Sequence, residues 1–322
     1  MYLVEATTAP DLYVKMMRLM RTEGIQQNSR NGGVLSLPEP LLVKVTNPSS
    51  RVLFDPIRCA NPFFHVMEFV WMMAGSQNPD WICQFNARFI EYADTNNHGG
   101  RPLIHGAYGF RWRVHFATDQ IMQAVKLLRN NPEDRRVVLG MWNPNQDLGK
   151  DHADVPCNTH IYFRVVNGKL DMTVCNRSND VVWGMVGANI VHMTLLHELI
   201  ANATDIPIGN YYVMTNNAHV YVDLDRVEEM LQTVHTDTYE LASLPILLDS
   251  SAIEDFLEDC RNFITHDAPP KTTWIADVAR PMYELYTKRK HKPREEYIHH
   301  LEQIRDPQWQ KAAELWLQWK SK

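Results

Sequence analysis

The stretch Val155-Pro156-Cys157-Asn158, followed by Thr159 to Val166, the dipeptide Asn167-Gly168, Lys169 to Cys175 and then Asn176-Arg177-Ser178-Asn179-Asp180, decides how this chain folds around its most reactive side chain. The two alternating runs flank a dipeptide suited to a two-residue hairpin turn, in which both turn positions need positive φ. The predicted hairpin returns the chain to its starting point, so Cys157 and Arg177 share one end of a strand pair. A guanidinium beside a thiol favours the thiolate, the nucleophilic form. Cys157 is therefore the leading candidate for covalent chemistry. The competing role of a free cysteine is that of a small buried hydrophobe; placement after Pro156 at a strand entrance sets Cys157 apart.

Outward from the hairpin, helices and strands intermix. Asp11 to Thr22 has helical spacing and precedes a polar loop, Gln26 to Gly33, containing Arg30; Val34 to Val45 reads as a strand region. Pro62 to Ala74 is a mostly apolar helix enclosing one carboxylate, Glu68. The polar loop Asn96 to Arg101 leads into His105-Gly106-Ala107-Tyr108-Gly109. Asp119 to Arg129 is a helix, and Arg135-Arg136 opens the strand Val137 to Trp142. Ala188 to Ala203 reads as an amphipathic helix with Ile190, Met193, Leu196 and Ile200 on one stripe. Tyr211 to Met214 is a short strand before Asn217-Ala218-His219-Val220-Tyr221, and Val222 to Val234 and Trp309 to Trp319 complete the helices. There is no regular βαβ alternation, so the predicted class is α+β, as one domain over residues 1–322.

Composition narrows the function classes. The 322 residues are 45% hydrophobic and 22% charged, with formal net charge -6, which argues against a surface that coats nucleic acid. No apolar run reaches membrane-spanning length and the first residues carry no signal-peptide pattern. Cys59, Cys83, Cys157, Cys175 and Cys260 show no CxxC spacing. Neither a disulfide framework nor a cysteine zinc site is expected, and the setting is read as reducing and cytoplasmic.

Other residues suggest a phosphorylated ligand. Arg30, Arg135, Arg136 and Arg177 would singly be surface charges; together they could clamp a dianion, because guanidinium groups bind phosphate bidentately. No Walker or dinucleotide glycine motif is present to do this with backbone. Glu68 either faces solvent or is buried with a raised pKa, in which case it could move protons near neutrality. His219 and Tyr221 alternate on an extended segment and point to one side, where they could hold a sugar hydroxyl or form an ordinary strand edge.

Taken as a set, these residues resemble the thymidylate synthase family, which also contains the phage pyrimidine hydroxymethylases. Its Pro-Cys-His is matched by Pro156-Cys157-Asn158, its Gln-Arg-Ser-x-Asp by Asn176-Arg177-Ser178-Asn179-Asp180, and its Arg-Arg before a strand ending Trp-Asn by Arg135-Arg136 and Trp142-Asn143. Its Asp-x-His-x-Tyr is matched by Asn217, His219 and Tyr221. The Glu-x-x-Trp-x-x-x-Gly helix is present as Glu68, Trp71 and Gly75, the Tyr-Gly-x-x-Trp-Arg as Tyr108, Gly109, Trp112 and Arg113, and the early arginine-glycine loop as Arg30 and Gly32. The match runs in order from about residue 30 to 225.

The resemblance implies a homodimer formed through a mixed sheet packed with helices, a pyrimidine nucleoside 5′-monophosphate as substrate, 5,10-methylenetetrahydrofolate as carbon donor, and no metal. It implies that Cys157 adds to C6 of the base so that C5 becomes nucleophilic and takes the one-carbon unit. Arg30, Arg177 and Ser178 would grip the phosphate, with Arg135 and Arg136 reaching across the interface, and His219 and Tyr221 would hold the 3′-hydroxyl. Glu68 and Tyr108, with bound water, would move protons, and Asp180 would hydrogen-bond the pterin.

Departures from the family pattern bear on the product. The histidine after the cysteine is Asn158. Phe89 and Tyr92 stand where synthases carry two tryptophans on the folate side; a smaller ring leaves room for water to add to the methylene intermediate, giving a hydroxymethyl group instead of a methyl group. The tail, ending Trp316-Leu317-Gln318-Trp319-Lys320-Ser321-Lys322, is basic where a synthase tail is apolar. At the base-reading position, Asn189 aligns only with one inserted residue, and an ungapped match places Ala188 there. An asparagine amide can donate to O4 and accept from N3–H of uracil, whereas cytosine-specific relatives use aspartate. Ser178 favours a deoxy sugar. The reading is C5 hydroxymethylation of dUMP. Methylation to dTMP and the corresponding reactions of dCMP stand as alternatives, as does an inactive regulator that binds nucleotide or RNA.

Overall fold

In the computed structural model the chain is described at residues 1–322 except 31, 95–99, 225, 234–237, 240, 266–267 and 321–322. The hairpin is formed by Asn158–Val166 and Lys169–Asn176, antiparallel, with Val166 opposite Lys169. Its turn has φ 50° at Asn167 and 73° at Gly168, the left-handed pair that asparagine and glycine tolerate best. These strands sit inside a six-stranded mixed sheet whose order is Tyr2–Ala6, Leu41–Val45, Ile208–Thr215, Lys169–Asn176, Asn158–Val166, Val138–Gly140. Ile208–Thr215 runs parallel to Lys169–Asn176 and antiparallel to Leu41–Val45. The architecture is α+β. Among the described residues, no helix is long and apolar enough to cross a membrane.

A second sheet is stacked from Asn179–Asp180, Ala218–Tyr221, Gly32–Ser36 and Ile25–Ser29. It corrects two expectations. The segment Gln26 to Gly33 is largely strand, forming a hairpin in which Ser29 pairs Gly32. The run Val34 to Val45 is two strands in different sheets, divided at Leu37–Pro40, where Pro38 and Pro40 remove ladder donors. The loop expected at Asn96 to Arg101 lies mainly outside the described residues.

The helix Asn189–Thr204 is enclosed, with every residue from Ile190 to Ala201 buried, so the amphipathic reading fails. A helix buried on all sides must satisfy its polar groups internally. Glu198 pairs with buried Arg51, His197 Nε2 lies 2.6 Å from the Leu170 carbonyl, and Thr194 donates back to Ile190 O at 2.6 Å.

The helix Pro62–Met73 starts at Asn61, whose side chain accepts from the N–H groups of Phe63 and Phe64, with Pro62 at the first turn where no donor is needed. The turn Tyr108–Phe110 crosses it so closely that a Cβ at Gly109 would collide with the Met72 carbonyl. That crossing brings Tyr108 to the same cleft as Glu68.

The expected helix Val222 to Val234 is shorter, Val227–Gln232. Beyond residue 250 come helices the sequence reading passed over, chiefly Ile253–Thr265 and Arg280–Lys288. Ile253, Phe256, Leu257, Cys260 and Phe263 give the first a regular buried stripe, which is the periodicity that could have revealed it. Pro307–Lys320 closes the chain, and one hydrophobic core extends from Val4 to Trp316.

Candidate active site

The hairpin's open end holds Cys157 and Arg177 together. The Arg177 backbone N–H donates to the Cys157 carbonyl at 2.9 Å. Its guanidinium lies along the approach to the cysteine: Nε donates to Pro156 O at 2.9 Å, and Nη2 to Val155 O at 2.8 Å. The same Nη2 is 3.8 Å from Cys157 Sγ. Burial nevertheless raises the thiol pKa above its ordinary value, with Arg177 and Arg30 pulling the other way and Asp154 and Asp180 adding to the rise. The expected thiolate is thus corrected to a thiol in the free protein, because desolvation outweighs the nearby cations. Attack by Cys157 requires a proton acceptor.

A set of proton-carrying groups surrounds it. Burial, reinforced by the charge of Asp154, lifts Glu68 from 4.5 to about 8. Glu68 Oε2 lies 3.3 Å from His192 Nε2. Burial drives His192 down to about 3, and the ring hydrogen-bonds the His65 backbone. A neutral imidazole that donates to that carbonyl has a lone pair on Nε2; it lies beside Glu68 Oε2, and neither atom has a hydrogen-bond partner among the described residues. Tyr108 has its pKa raised well above its ordinary value by burial and by Cys157 and Asp154, while a backbone hydrogen bond from Asn158 opposes the rise. At neutral pH Glu68 and Tyr108 are acids.

Asp180, expected from sequence to hydrogen-bond the pterin, caps the turn that follows it. Its Oδ1 accepts from the Trp183 N–H at 2.6 Å, and Oδ2 has no hydrogen-bond partner among the described residues. Burial raises the Asp180 pKa while His219 and Arg58 oppose the rise. Arg58 is buried, donates to Val182 O at 3.1 Å, and stacks 3.9 Å from the centroid of half-exposed Trp183. Phe89 packs edge-on against Trp71 with centroids 5.7 Å apart and contacts Tyr92 at 6.1 Å. Tyr92 lies where the charges of Asp154 and Asp180 both raise its pKa, after burial as the larger cause.

The segment before Asn189, where a match to the family pattern calls for one inserted residue, is irregular. Val181–Ala188 forms a wide turn with five-residue hydrogen-bond spacing and a non-helical break at Gly187 (φ -111°, ψ -110°). Such a turn accommodates one extra residue, and the regular helix begins at Asn189. Asn189 Nδ2 donates to Asn179 Oδ1 at 3.3 Å. The approach needs a glycine nearby, since a Cβ at Gly184 would lie 2.7 Å from Asn179 Oδ1 and 3.1 Å from Asn189 Nδ2.

Asn179–Asp180 pairs in parallel with Ala218–Tyr221, Asp180 opposite His219. This places Ser178 Oγ 3.4 Å from Asn217 Oδ1 and 3.5 Å from His219 Nδ1. The His219 and Tyr221 rings meet edge-on with centroids 5.0 Å apart. Arg30 is exposed on the Ile25–Ser36 hairpin. Arg135 and Arg136 are exposed beside the edge strand Val138–Gly140, and Arg136 folds back on Asp134 at 2.6 Å. Within one chain these two do not join the cluster around Cys157.

Sequence reasoning missed Asp154, His192 and Arg58. For Asp154 the available signal was a carboxylate three positions before the nucleophile; for Arg58 and His192 no local motif marks them. A further cluster, Asp94, His105 and His152, has ligand atoms within 4.8 Å of one another. Its groups already have partners: His152 Nδ1 is 2.6 Å from Asp94, His105 Nε2 is 2.7 Å from Asp147, and Arg111 Nη2 stands 2.9 Å from His105 Nε2. That guanidinium opposes a cation.

The mixed sheet, with a cysteine and an arginine together at the open end of its hairpin, defines an α+β fold with a cysteine-centred site. The thymidylate synthase family model matches residues 12–274, and the chain belongs to that family. It is 43% identical over 203 residues to the deoxyuridylate hydroxymethyltransferase of Pseudomonas phage M6, covering 63% of this chain and 56% of that protein. The deoxyuridylate hydroxymethyltransferases of Bacillus phage SP01 (28% over 268 residues, 79% of this chain, 68% of that one) and Delftia phage PhiW-14 (31% over 225 residues, 66% and 60%) are also similar. The matched regions thus span between about half and two thirds of these relatives' lengths. Among solved structures, thymidylate synthase from T4 phage shares the fold, with TM-score 0.60 and 22% identity over 76% of this chain and 90% of that one.

Proposed function

We propose that this chain hydroxymethylates C5 of dUMP, with methylenetetrahydrofolate as carbon donor. The observation that carries the reading is Cys157 beside Arg177 and a group of buried acids, with Phe89 and Tyr92 where tryptophans would exclude water. In this scheme the S–H proton of Cys157 passes through bound water to solvent, Sγ adds to C6 and the C5 carbanion attacks the one-carbon unit. Loss of the C5 proton and departure of tetrahydrofolate leave a methylene on C5, to which water adds. Expulsion of Cys157 restores the C5=C6 bond. Glu68, as an acid backed by His192, is suited to stabilise charge developing on O4, and Tyr108 to move the C5 proton. The names of the three phage relatives support the hydroxymethyl product and the uracil base. The amide of Asn189, steadied by Asn179, offers a donor for O4 and an acceptor for N3–H.

Arg30, Arg177 and Ser178 would hold the phosphate, His219 and Tyr221 the sugar, and Asp180 the pterin. Arg135 and Arg136 of the partner subunit would complete the phosphate site in a homodimer of single-domain chains. Support for the dimer comes from the sheet face opposite the helix Asn189–Thr204. Leu3, Val138, Tyr162 and Met214 are exposed there at 62%, 39%, 42% and 50%. They lie on two adjoining rows: Val138 opposite Tyr162, and Cys175, Met214, Leu42 and Leu3 in register. An apolar band of this kind on a sheet is a surface that association would cover.

Incubation with dUMP or dCMP plus methylenetetrahydrofolate, followed by mass spectrometry, tests the reading. The expected product is dUMP plus one methylene and one oxygen, with tetrahydrofolate as the coproduct. A gain of methylene alone, with dihydrofolate, would overturn it in favour of methylation.

A further inference from the structure

We propose that Asp154 is the general base that holds the attacking water and takes its proton when that water adds to the C5 methylene. The inference rests on the hydroxymethylation reading and assigns a step that the residues expected from sequence leave without a base.

Its position is built. Asp154 precedes Cys157 by three residues, and its carboxylate accepts the Gly106 backbone N–H. A Cβ at Gly106 would lie 2.5 Å from Asp154 Oδ2 and 3.1 Å from the Pro156 nitrogen, so only glycine lets the carboxylate settle there. From that seat its charge acts on Glu68, Tyr108, Cys157 and Tyr92. Glu68, Tyr108 and Cys157 are the groups proposed to act on the base, and Tyr92 is one of the two rings that stand where synthases carry tryptophans. No other carboxylate of the described chain acts on all four.

Glu68 and Asp154 are a pair of buried carboxyls pushed to different protonation states. Asp154 has the Gly106 N–H and the nearby charges of Arg111 and Arg177 to stabilise an anion, and burial leaves it at about 6. No cation of the described chain steadies a Glu68 anion, and its carboxyl faces a neutral imidazole. With one shared repulsion, the anion resides on Asp154 and the proton on Glu68, the arrangement that separates base from acid. In the proposed step a water O–H bond breaks and its proton passes to Asp154. The oxygen bonds to the methylene carbon, and the electron pair of the exocyclic C=C moves into the ring as the enolate that Glu68 supports. Collapse of the enolate re-forms C5=C6 and releases Cys157 thiolate, which takes the proton from Asp154 and returns to the thiol of the free protein.

The test separates the last step from those before it. Wild type and Asp154→Asn are mixed in excess over [5-³H]dUMP and methylenetetrahydrofolate, and tritium release, product and intact protein mass are followed in a single turnover. Asp154→Asn is expected to slow product formation ~100-fold or more, as loss of a general base does, to slow tritium release far less, since only the charge acting on Glu68, Tyr108 and Cys157 changes there, and to accumulate a covalent Cys157 adduct. Asp154→Glu is expected to recover part of the rate. Product formed by Asp154→Asn at the wild-type rate would overturn the assignment. So would parallel loss of tritium release and product, which means an earlier or structural role; 5-fluoro-dUMP complex formation checks that the site is intact. If wild type itself yields methyl product and dihydrofolate, the hydroxymethylation reading fails instead, and the two failures are distinct.

Discussion

Replacing Glu68 by glutamine should make the protein more stable, by an amount that depends on pH in a defined direction. The folded chain binds the Glu68 proton up to about pH 8, whereas an unfolded chain releases it near 4.5. Between those values folding must take up a proton, so stability attributable to this group is complete below 4.5 and is lost as pH rises through about 8. At about 1.36 kcal/mol per unit, the cost is on the order of 3 kcal/mol at pH 7 and on the order of 5 at pH 9. The side chain is 14% exposed, so these are upper figures. Glutamine cannot ionise and keeps the size and polarity of the protonated acid, so Glu68→Gln removes the titration and little else. Urea unfolding of both proteins at pH 5, 7 and 9 is the assay. The gap should be small at pH 5 and widen in favour of the variant at each step, while turnover collapses. A gap that stays constant across pH, or that closes as pH rises, would refute the buried-acid reasoning.

Other outcomes follow from the same geometry. Cys157→Ser should lower turnover by ~10³-fold or more, since the hydroxyl is a far weaker nucleophile at this position; steady-state assay with saturating dUMP measures it. Phe89→Trp should reduce hydroxymethyl product and raise any dihydrofolate formed, read by absorbance and product mass, because the larger ring crowds the space for water. Gly109→Ala should destabilise the fold by about 1–3 kcal/mol, the usual cost of overpacking, measured by thermal melting. In wild type, product formation should decline as pH falls below about 6, where Asp154 gains a proton.

The hairpin, the helix carrying Glu68 and the strand carrying His219 were legible because each rests on local chemistry: Asn-Gly turn preference, an apolar period and strand alternation. What was not legible depended on long-range packing. The protonation state of Cys157 follows from burial, which no local motif encodes, so a neighbouring arginine pointed to the wrong form. The enclosed helix Asn189–Thr204 looked amphipathic because Glu198 and His197 are polar in sequence, yet Arg51 and the Leu170 carbonyl, both far away in the chain, satisfy them inside. Asp154 escaped notice because its significance comes from Gly106, across the cleft. The short Val227–Gln232 helix and the split of Val34 to Val45 reflect turns and prolines that a hydrophobic count overlooks.

If Asn189 reads the base as proposed, the wide turn Val181–Ala188 makes base choice a matter of backbone length as well as side-chain identity. One residue on a helix corresponds to about 100° of azimuth, so deleting a single position before Asn189 would swing its amide off the line to Asn179 without altering any contacting side chain. On that reading specificity is partly a phase angle, and grafting a side chain from a relative without the extra residue would transplant the letter but not its bearing.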